Sequence, residues 1–559
     1  MTELSDEKRM LLAFVLMIVI LGVWSVFFKP PAPPKKAVPA PAASVATSAV
    51  TATAQTAPAA PPAGAVQANE AQTLAIESPL YSVEISNRGA AVHSWKLKKY
   101  LDDEKPPQPL ELVTTSAAEQ FDAWPLSVTL DDPQLESRAN AALYQVSTQG
   151  TSFNAPVDLL FHWSDGHLDV VKKLKFNTDY QIELEVAASL DGKFLPVGVA
   201  WRGGFGDIGV AQQSQTVTVF YSQSQKLSLV QYKKLGVSGH SDQRMLVPGT
   251  LEFAGIEDQF FAAAFLPNAS SVNLWDWVQQ HDIKDSEGKP AQEPEPQMSV
   301  GSTTPGPVSM RLFVGPKDLK ALAQVKPPLE ELVQFGWTGI IAKPLLVVLQ
   351  WTHQYISNWG WAIVVLTVVI NIPLFPLKVS SYRSMKKMQK IQPEIQTIQG
   401  RYKKYSMNDP RKRKMNEEMM AVYQREGINP LGSCLPMIVQ LPILWAFYRM
   451  LAGAIELRHA PWFGWIHDLS AHDPYYILPI VMTITMYLTQ KMTPMTTTDP
   501  AQQKMFAFMP LFMGVIFFRL SSGLNLYYLT SNLVGIGQQY YLIKTHPLTE
   551  RDNSKGNKR

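Results

Sequence analysis

The spacing of apolar residues changes character several times along the chain, and each change marks a different kind of element. From Met10 to Phe28 almost every position is apolar, directly after Lys8 and Arg9. A run of about 18–20 such residues is long enough to cross a bilayer as a helix and longer than the core of a usual signal peptide. Trp24-Ser25-Val26-Phe27-Phe28 offers no small-x-small cleavage site, and the candidates near Ala40 and Ala42 lie too far downstream. The segment therefore reads as an uncleaved anchor (10–28) behind a cytoplasmic N-terminus (1–9). Residues 29–73 then lose nearly all large apolar side chains in favour of Pro, Ala, Thr and Ser. Such a composition buries too little surface to offset its ordering entropy, so a disordered tether, extended by its prolines, is expected.

A second rhythm fills residues 74–325. Short runs alternate polar and apolar, as in Tyr81-Ser82-Val83-Glu84-Ile85, Leu126–Leu130, Gln181–Val186 and Thr216–Phe220, and turn residues such as Asn87-Arg88-Gly89 and Asp165-Gly166 separate them. Period-two alternation with frequent turns predicts a large antiparallel β-sandwich, placed in the periplasm by the preceding anchor. Residues 326–357 are Pro-interrupted and rich in Trp and Leu, which predicts one or two amphipathic helices along the outer membrane surface.

From 358 to 543 the pattern becomes five long apolar stretches: Trp359–Leu377, Cys434–Ile455, Tyr475–Gln490, Met505–Leu520 and Leu524–Ile543. With the anchor they make six spans. The fourth and fifth are short, roughly 16 residues or about 24 Å as helix, so local thinning or tilt of the bilayer is expected. Between the second and third spans lies residue stretch 381–427. Apolar positions Met385, Met388, Ile391, Ile395, Ile398 and Tyr402 recur every three or four residues there, and Asp409-Pro410 begins a second helix carrying Met415, Met419, Val422 and Tyr423. This predicts a helical hairpin.

Charge fixes the orientation. Ser381–Arg425 contains twelve Lys or Arg against Glu394, Asp409, Glu417 and Glu418. A short loop this basic stays on the cytoplasmic side. With six spans, Lys8/Arg9, this loop, Lys491/Lys504 and the tail 544–559 all fall on that same side; with five or seven they do not. Both termini are then cytoplasmic. The net charge of +3 hides this asymmetry, and the single cysteine, Cys434, excludes a disulfide framework or a thiolate metal cluster.

The spans offer little chemistry of the catalytic kind. They hold no Asp, Glu or His, Glu456 lying just beyond the end of the third, and no HExxH, GxSxG or P-loop occurs, which speaks against ion-coupled transport, hydrolysis or a cofactor. They do hold uncharged polar residues: Thr367, Asn371, Gln440, Thr483, Thr485, Asn525, Thr530, Ser531, Asn532, Gln538 and Gln539. These either hydrogen-bond helix to helix or line a wet groove that lowers the cost of a polar segment in hydrocarbon. Arg449 and Arg519 near the outer face either snorkel or turn inward.

Several local motifs resemble the YidC membrane protein insertases: Asn429-Pro430-Leu431-Gly432-Ser433-Cys434-Leu435-Pro436, Gln440-Leu441-Pro442-Ile443, Ile455-Glu456-Leu457-Arg458, Trp465–Ser470, Asp473–Ile480, Gln490-Lys491-Met492 and Ser522-Gly523-Leu524 followed by Leu526-Tyr527-Tyr528. The anchor, tether and β domain match the Gram-negative form in layout. The resemblance implies a polytopic α-helical protein of the bacterial inner membrane with a five-span insertase core. It implies a hydrophilic groove, nascent membrane proteins as substrates, and the Sec translocon and ribosome as partners. Thr367, Asn371, Gln440, Leu441, Pro442, Arg519 and Asn525 are the expected groove residues. The hairpin would receive the nascent chain, and Arg383, Lys386, Lys387, Arg401, Lys403, Lys404, Arg411 and Arg413 are its expected contacts with chain, ribosome or anionic lipid. Many family members carry arginine where Asn371 stands, so here either Arg519 supplies the positive field from the fifth span or polarity alone suffices. The competing readings are a passive solute or lipid transporter, and an envelope enzyme using His93, His162, His167 and His240 of the β domain. The insertase reading expects no small-molecule substrate, no metal and no catalysis.

Overall fold

The computed structural model describes residues 64–207, 216–268, 272–284, 289–405, 409–428, 435–493 and 500–545. The anchor, most of the tether and nearly all of the basic tail lie outside these residues. The described chain divides at Val333/Gln334 into two compact units.

The first unit is built from three sheets. A ten-stranded sheet takes the order Lys226–Gln231, Thr218–Gln223, Phe253–Glu257, Phe261–Pro267, Val308–Pro316, Gln181–Leu190, Leu168–Phe176, Val157–Ser164 and Gln145–Val146, with Lys193–Phe194 paired beside Gln181–Leu190. A five-stranded sheet runs Pro109–Glu111, Ala91–Leu101, Tyr81–Ser86, Thr73–Glu77 and Ser152–Asn154, and a second runs Met245–Val247, Asn273–Lys284, Pro290–Gly301, Gly198–Trp201 and Ser127–Thr129. Pairing is antiparallel as expected, except that Thr73–Glu77 lies parallel to Ser152–Asn154. Alternation does the sorting: along Leu168–Phe176, residues 168, 170, 172, 174 and 176 are all buried. Aromatic residues join the sheets into one core. Trp95 of one five-stranded sheet has its ring centroid 6.4 Å from Phe176 of the ten-stranded sheet and 6.4 Å from Trp201 of the other.

Order begins before the expected end of the tether. Val66 pairs with Ser164 and the Ala68 amide donates to Leu143 O at 3.0 Å. Two short helices sit in this unit, α1 (Thr115–Phe121) and α2 (Pro133–Ala141), the latter capped by Asp132, whose side chain accepts from the Gln134 amide. A third, α3 (Leu319–Ala323), follows the last strand.

In the second unit the amphipathic segment forms one helix, α4 (Gly339–Tyr355), after a turn at Gly336–Thr338. Ile340, Val347, Trp351 and Tyr355 are exposed along it, and Trp337 is exposed in the turn before it. Asn358 caps α5 (Trp359–Arg401), accepting from the Trp361 amide at 3.1 Å. Here the expectation of a separate hairpin arm changes: the second apolar stretch and the first arm are one 43-residue helix. The hairpin's other arm, α6 (Pro410–Arg425), is capped by Asp409 as expected. Then come α7 (Leu435–Gly453), α8 (Ile477–Met492), α9 (Pro500–Phe517) and α10 (Ser522–Thr545). Each remaining apolar stretch has thus become a helix. Among the described residues α5 alone passes as a membrane span by length and composition, with Met505–Phe517 a shorter apolar helix.

Candidate functional site

The polar residues of α5 stack on one face. Thr367 and Asn371, four residues apart, are both buried. The Thr367 hydroxyl returns a hydrogen bond to Ile363 O at 2.7 Å, and the Asn371 amide nitrogen donates to Thr367 O at 2.9 Å. That leaves Asn371 Oδ1 as an open acceptor. Lys378, seven residues on and so on the same face, fills it: its Nζ lies 3.0 Å from Asn371 Oδ1 and 2.9 Å from Gln538 Oε1 of α10. Gln538 Nε2 in turn donates to Asn371 O at 3.3 Å. A closed polar triangle therefore joins α5 to α10. Pro373 and Pro376 fall within this stretch, and each withholds the N–H that would bond the carbonyl four residues back.

The α7 residues Gln440 and Pro442 are half-buried, and Leu441 is 56% exposed. Gln440 hydrogen-bonds the Tyr527 hydroxyl of α10. One turn or two further along the same pair of helices, Phe447 stacks on Tyr527 with centroids 4.0 Å apart. So α7 meets α10 through one amide–phenol contact and one stacked pair, and presents Leu441 outward.

Two further expected groove residues, Asn525 and Arg519, take no part in that triangle. Asn525 is fully buried, and its amide nitrogen donates to Phe517 O, Leu520 O and Ser521 O at 3.1–3.3 Å. It ties the end of α9 to the start of α10, satisfying carbonyls a helix end leaves open. Arg519 sits two residues past the end of α9 and is exposed. The structure does not bring it to Asn371; the cation found there is Lys378. The sequence carried a signal for this, since a lysine seven positions from an asparagine shares its helical face.

The hairpin packs Met388, Ile391, Ile395, Ile398, Val422 and Ile428 into a core, with Tyr402, Met415, Met419 and Tyr423 against it. Charge is distributed around that core. Arg401 pairs with Glu418 at 3.4 Å, Arg425 with Glu394 at 2.7 Å, and Tyr402 donates to Glu418 at 2.8 Å. Arg411 pairs with Asp409 at 2.7 Å and lies over the Tyr405 ring; hydrogen bonds from Arg411 hold the Asp409 carboxyl down at about 2. Lys386 lies over the Tyr382 ring. Arg383, Lys387, Lys403, Lys404 and Arg413 are exposed.

The four β-domain histidines do not converge. His162 pairs with Asp169 at 2.8 Å and His167 with Asp191 at 2.7 Å, while His93 stacks on Trp124 and His240 packs edge-on against Tyr232. Burial depresses the His93 pKa. Each histidine has its own local partner.

Comparison with known proteins covers both units. Residues 73–348 match the family described as YidC periplasmic domain, and residues 351–550 that described as 60Kd inner membrane protein. A membrane protein insertase YidC of Maridesulfovibrio salexigens is 31% identical over 566 residues, covering 96% of this chain and 99% of that one. Another, of Cupriavidus taiwanensis, is 39% identical over 333 residues, 59% of this chain and 58% of its own length. A solved active YidC insertase with its first transmembrane domain resolved aligns at 17% identity and a TM-score of 0.35, over 86% of this chain and 95% of that one.

Proposed function

The chain belongs to the family of YidC membrane protein insertases, and from that premise we propose how its residues perform insertion. The helical unit is a five-span core behind the N-terminal anchor, in the bacterial inner membrane, with both termini cytoplasmic. Its polar residues line a groove into which the hydrophilic part of a nascent membrane protein enters while its apolar segment passes into lipid. No covalent chemistry is needed. Transfer of the apolar segment is downhill at about 25 cal/mol per Å², and the groove's task is to lower the cost of the polar part. Unsatisfied polar groups in hydrocarbon cost several kcal/mol each.

The observation that carries this reading is the polar triangle of Asn371, Lys378 and Gln538 inside an otherwise apolar stretch. Leu441 is 56% exposed and gives an apolar contact surface on α7. The hairpin supports the delivery step. Its exposed Arg383, Lys387, Lys403, Lys404 and Arg413 suit phosphate, whether of ribosomal RNA or of anionic lipid, and such contacts weaken steeply with salt. Cooperation with the Sec translocon belongs to the same reading.

A photo-crosslinking residue at Gln440 tests it. A short single-span nascent chain translated with membranes containing this protein is expected to crosslink through its apolar segment. Absence of that crosslink, with insertion unchanged after depletion of the protein, would return the passive transporter as the better account.

A further inference from the structure

In the β domain, the sheet that holds Asn273–Lys284 and Pro290–Gly301 has two faces of opposite character. Residues paired directly across its strands share a face, so Trp275, Ser299, Ala200 and Ser127 form one row and Trp277 with Gln297 the next. The other face is apolar, with Leu274, Val278, Met298 and Val300 all buried. The first face is just as buried but polar: Gln297 and Ser299 are fully buried, and Ser127 and Thr129 nearly so. On it Gln297 Oε1 and Nε2, Ser127 Oγ and Gln279 Oε1 have no hydrogen-bond partner among the described residues, and neither has Arg202 Nε. Buried polar atoms are nearly always paired, so a face that leaves so many open is shaped for partners outside the chain.

A pocket of about 310 Å³ opens at the end of this face, at the lower limit for a small-molecule site. Thr129, Ser299, Ser302, Trp275, Arg244 and Asp131 are among the residues that line it. The Thr129 and Ser299 hydroxyls bond each other at 2.6 Å. Two hydroxyls carry two O–H donors, so one is left for a ligand. Gly198 lets them meet, since a Cβ there would stand 2.5 Å from Thr129 Oγ1 and 2.9 Å from Ser299 Oγ. Trp275 is half-buried and stacks on no other ring among the described residues.

Charge sets the class of ligand. Glu136 answers Arg244, accepting from its Nη1 at 2.9 Å, and also accepts from Arg202 Nη1 at 3.3 Å. Both guanidiniums lie over the Trp277 ring, at 4.9 and 5.4 Å, and make a fixed wall. With Asp131 the site holds two positive and two negative groups, so an ionic ligand finds no unmatched charge. We propose that this pocket binds a neutral pyranose, one unit of a glycan. The sugar's C–H face lies on the electron-rich face of the Trp275 indole, and its hydroxyls bond Thr129, Ser299, Ser302 and Asp131. No bond is made or broken there. A glucan and an aminosugar chain share this chemistry.

The test uses the full-length protein in lipid nanodiscs, free of sugar-headed detergent, and saturation-transfer NMR titrations. Cellobiose is the probe for a glucan and di-N-acetylchitobiose the probe for an aminosugar chain. At least one is expected to bind saturably, and the tighter identifies the source. Trp275→Leu is expected to weaken that binding about tenfold, the scale of a lost aromatic face, and Ser299→Ala about threefold, the scale of one hydrogen bond. Ser299→Ala reads the same constant if Trp275→Leu does not fold. Trp337→Leu, in the helical unit, is expected to leave binding unchanged. Absence of saturable binding by either disaccharide overturns the proposal, and so does binding that neither pocket variant weakens. Glucuronate binding as tightly as the neutral sugars, or glycerol competing at equal concentration, overturns the assignment to a neutral pyranose.

Discussion

Trp462 lays its indole directly over the Cα of Gly360, in the space a Cβ there would occupy. The contact fixes the start of α5 against the loop after α7. Asn358 adds to it, its amide donating to Pro461 O at 3.1 Å and Trp462 O at 3.2 Å, and Trp361 meets Trp462 edge-on at 5.8 Å. Gly360→Ala forces the ring to move, an overpacking that costs about 1–3 kcal/mol. The expected outcome is a lower thermal midpoint in detergent for Gly360→Ala. Because the clash needs the ring, Gly360→Ala in a Trp462→Ala background should cost less than in the parent. Equal penalties in both backgrounds would show that the ring is not the cause.

Asp473 performs a comparable service ahead of α8. It is fully buried and its carboxylate accepts from Trp465 Nε1 at 3.0 Å, the Tyr475 amide at 3.0 Å and the Leu478 amide at 2.7 Å. The same turn holds Tyr476 at φ 57°, a left-handed conformation that a non-glycine residue keeps only under tertiary constraint. Asp473→Ala strands three donors, each worth about 1–3 kcal/mol when buried and unmet. Asp473→Asn keeps an acceptor and is expected to lose less. Protease resistance of the loop between α7 and α8, measured for both variants, separates them; identical resistance would mean that the carboxylate does not organise the turn.

Most helices were legible in the sequence because apolar length is a direct signal, and the Asp409-Pro410 cap placed the start of α6 correctly. What escaped were features set by tertiary contact. Nothing local in 359–402 announces that the second apolar stretch and the hairpin arm share one helix, since Pro373, Pro376 and Pro393 all argue for a break. Asn525 carried the polarity expected of a groove residue, yet its buried amide caps α9, a role that depends on a chain reversal no periodicity shows. Lys378 gives no such direct signal, because positive charge near the end of an apolar run reads first as topology. In the β domain, the alternation of Leu168–Phe176 was visible, but not that position 172 would carry its lysine inward.

That lysine makes a pH prediction. Lys172 is fully buried and its Nζ donates to Gly89 O at 2.6 Å, Ala90 O at 3.2 Å and Leu126 O at 2.8 Å. Burial pushes its pKa down to about 7, against about 10.4 for an unfolded lysine. The three carbonyls favour the ammonium and so oppose burial, but no carboxylate completes the compensation among the hydrogen bonds it makes. Between about pH 7 and pH 10.4 the unfolded chain then binds more protons than the folded one, so folding stability rises with pH across that window, by at most about 1.4 kcal/mol per unit. Below about pH 7 both states are protonated and the contribution is flat. Urea midpoints of the full-length protein at pH 7, 8, 9 and 10, read by protease protection of residues 64–333, should climb more steeply than in Lys172→Met. Parallel profiles for the two proteins would remove Lys172 as the source.

The hairpin separates packing from charge. Ile395 is 3% exposed in a core of six buried residues contributed by α5, by Val422 of α6 and by Ile428 after it. Truncation to alanine in such a place costs about 2–5 kcal/mol, enough to open a two-helix unit that has little else to hold it. Arg401 is exposed and its pairing with Glu418, at 3.4 Å, is screened by solvent. Ile395→Ala is therefore expected to raise hydrogen exchange in peptides spanning 385–425 while leaving those of α8 and α10 unchanged. Replacing Arg401, Lys403 and Lys404 together by alanine should leave exchange near that of the parent and instead weaken ribosome or anionic-vesicle binding, with a shallower dependence on salt. If the triple replacement unfolds the hairpin as Ile395→Ala does, the basic residues are structural and the delivery role assigned to them fails.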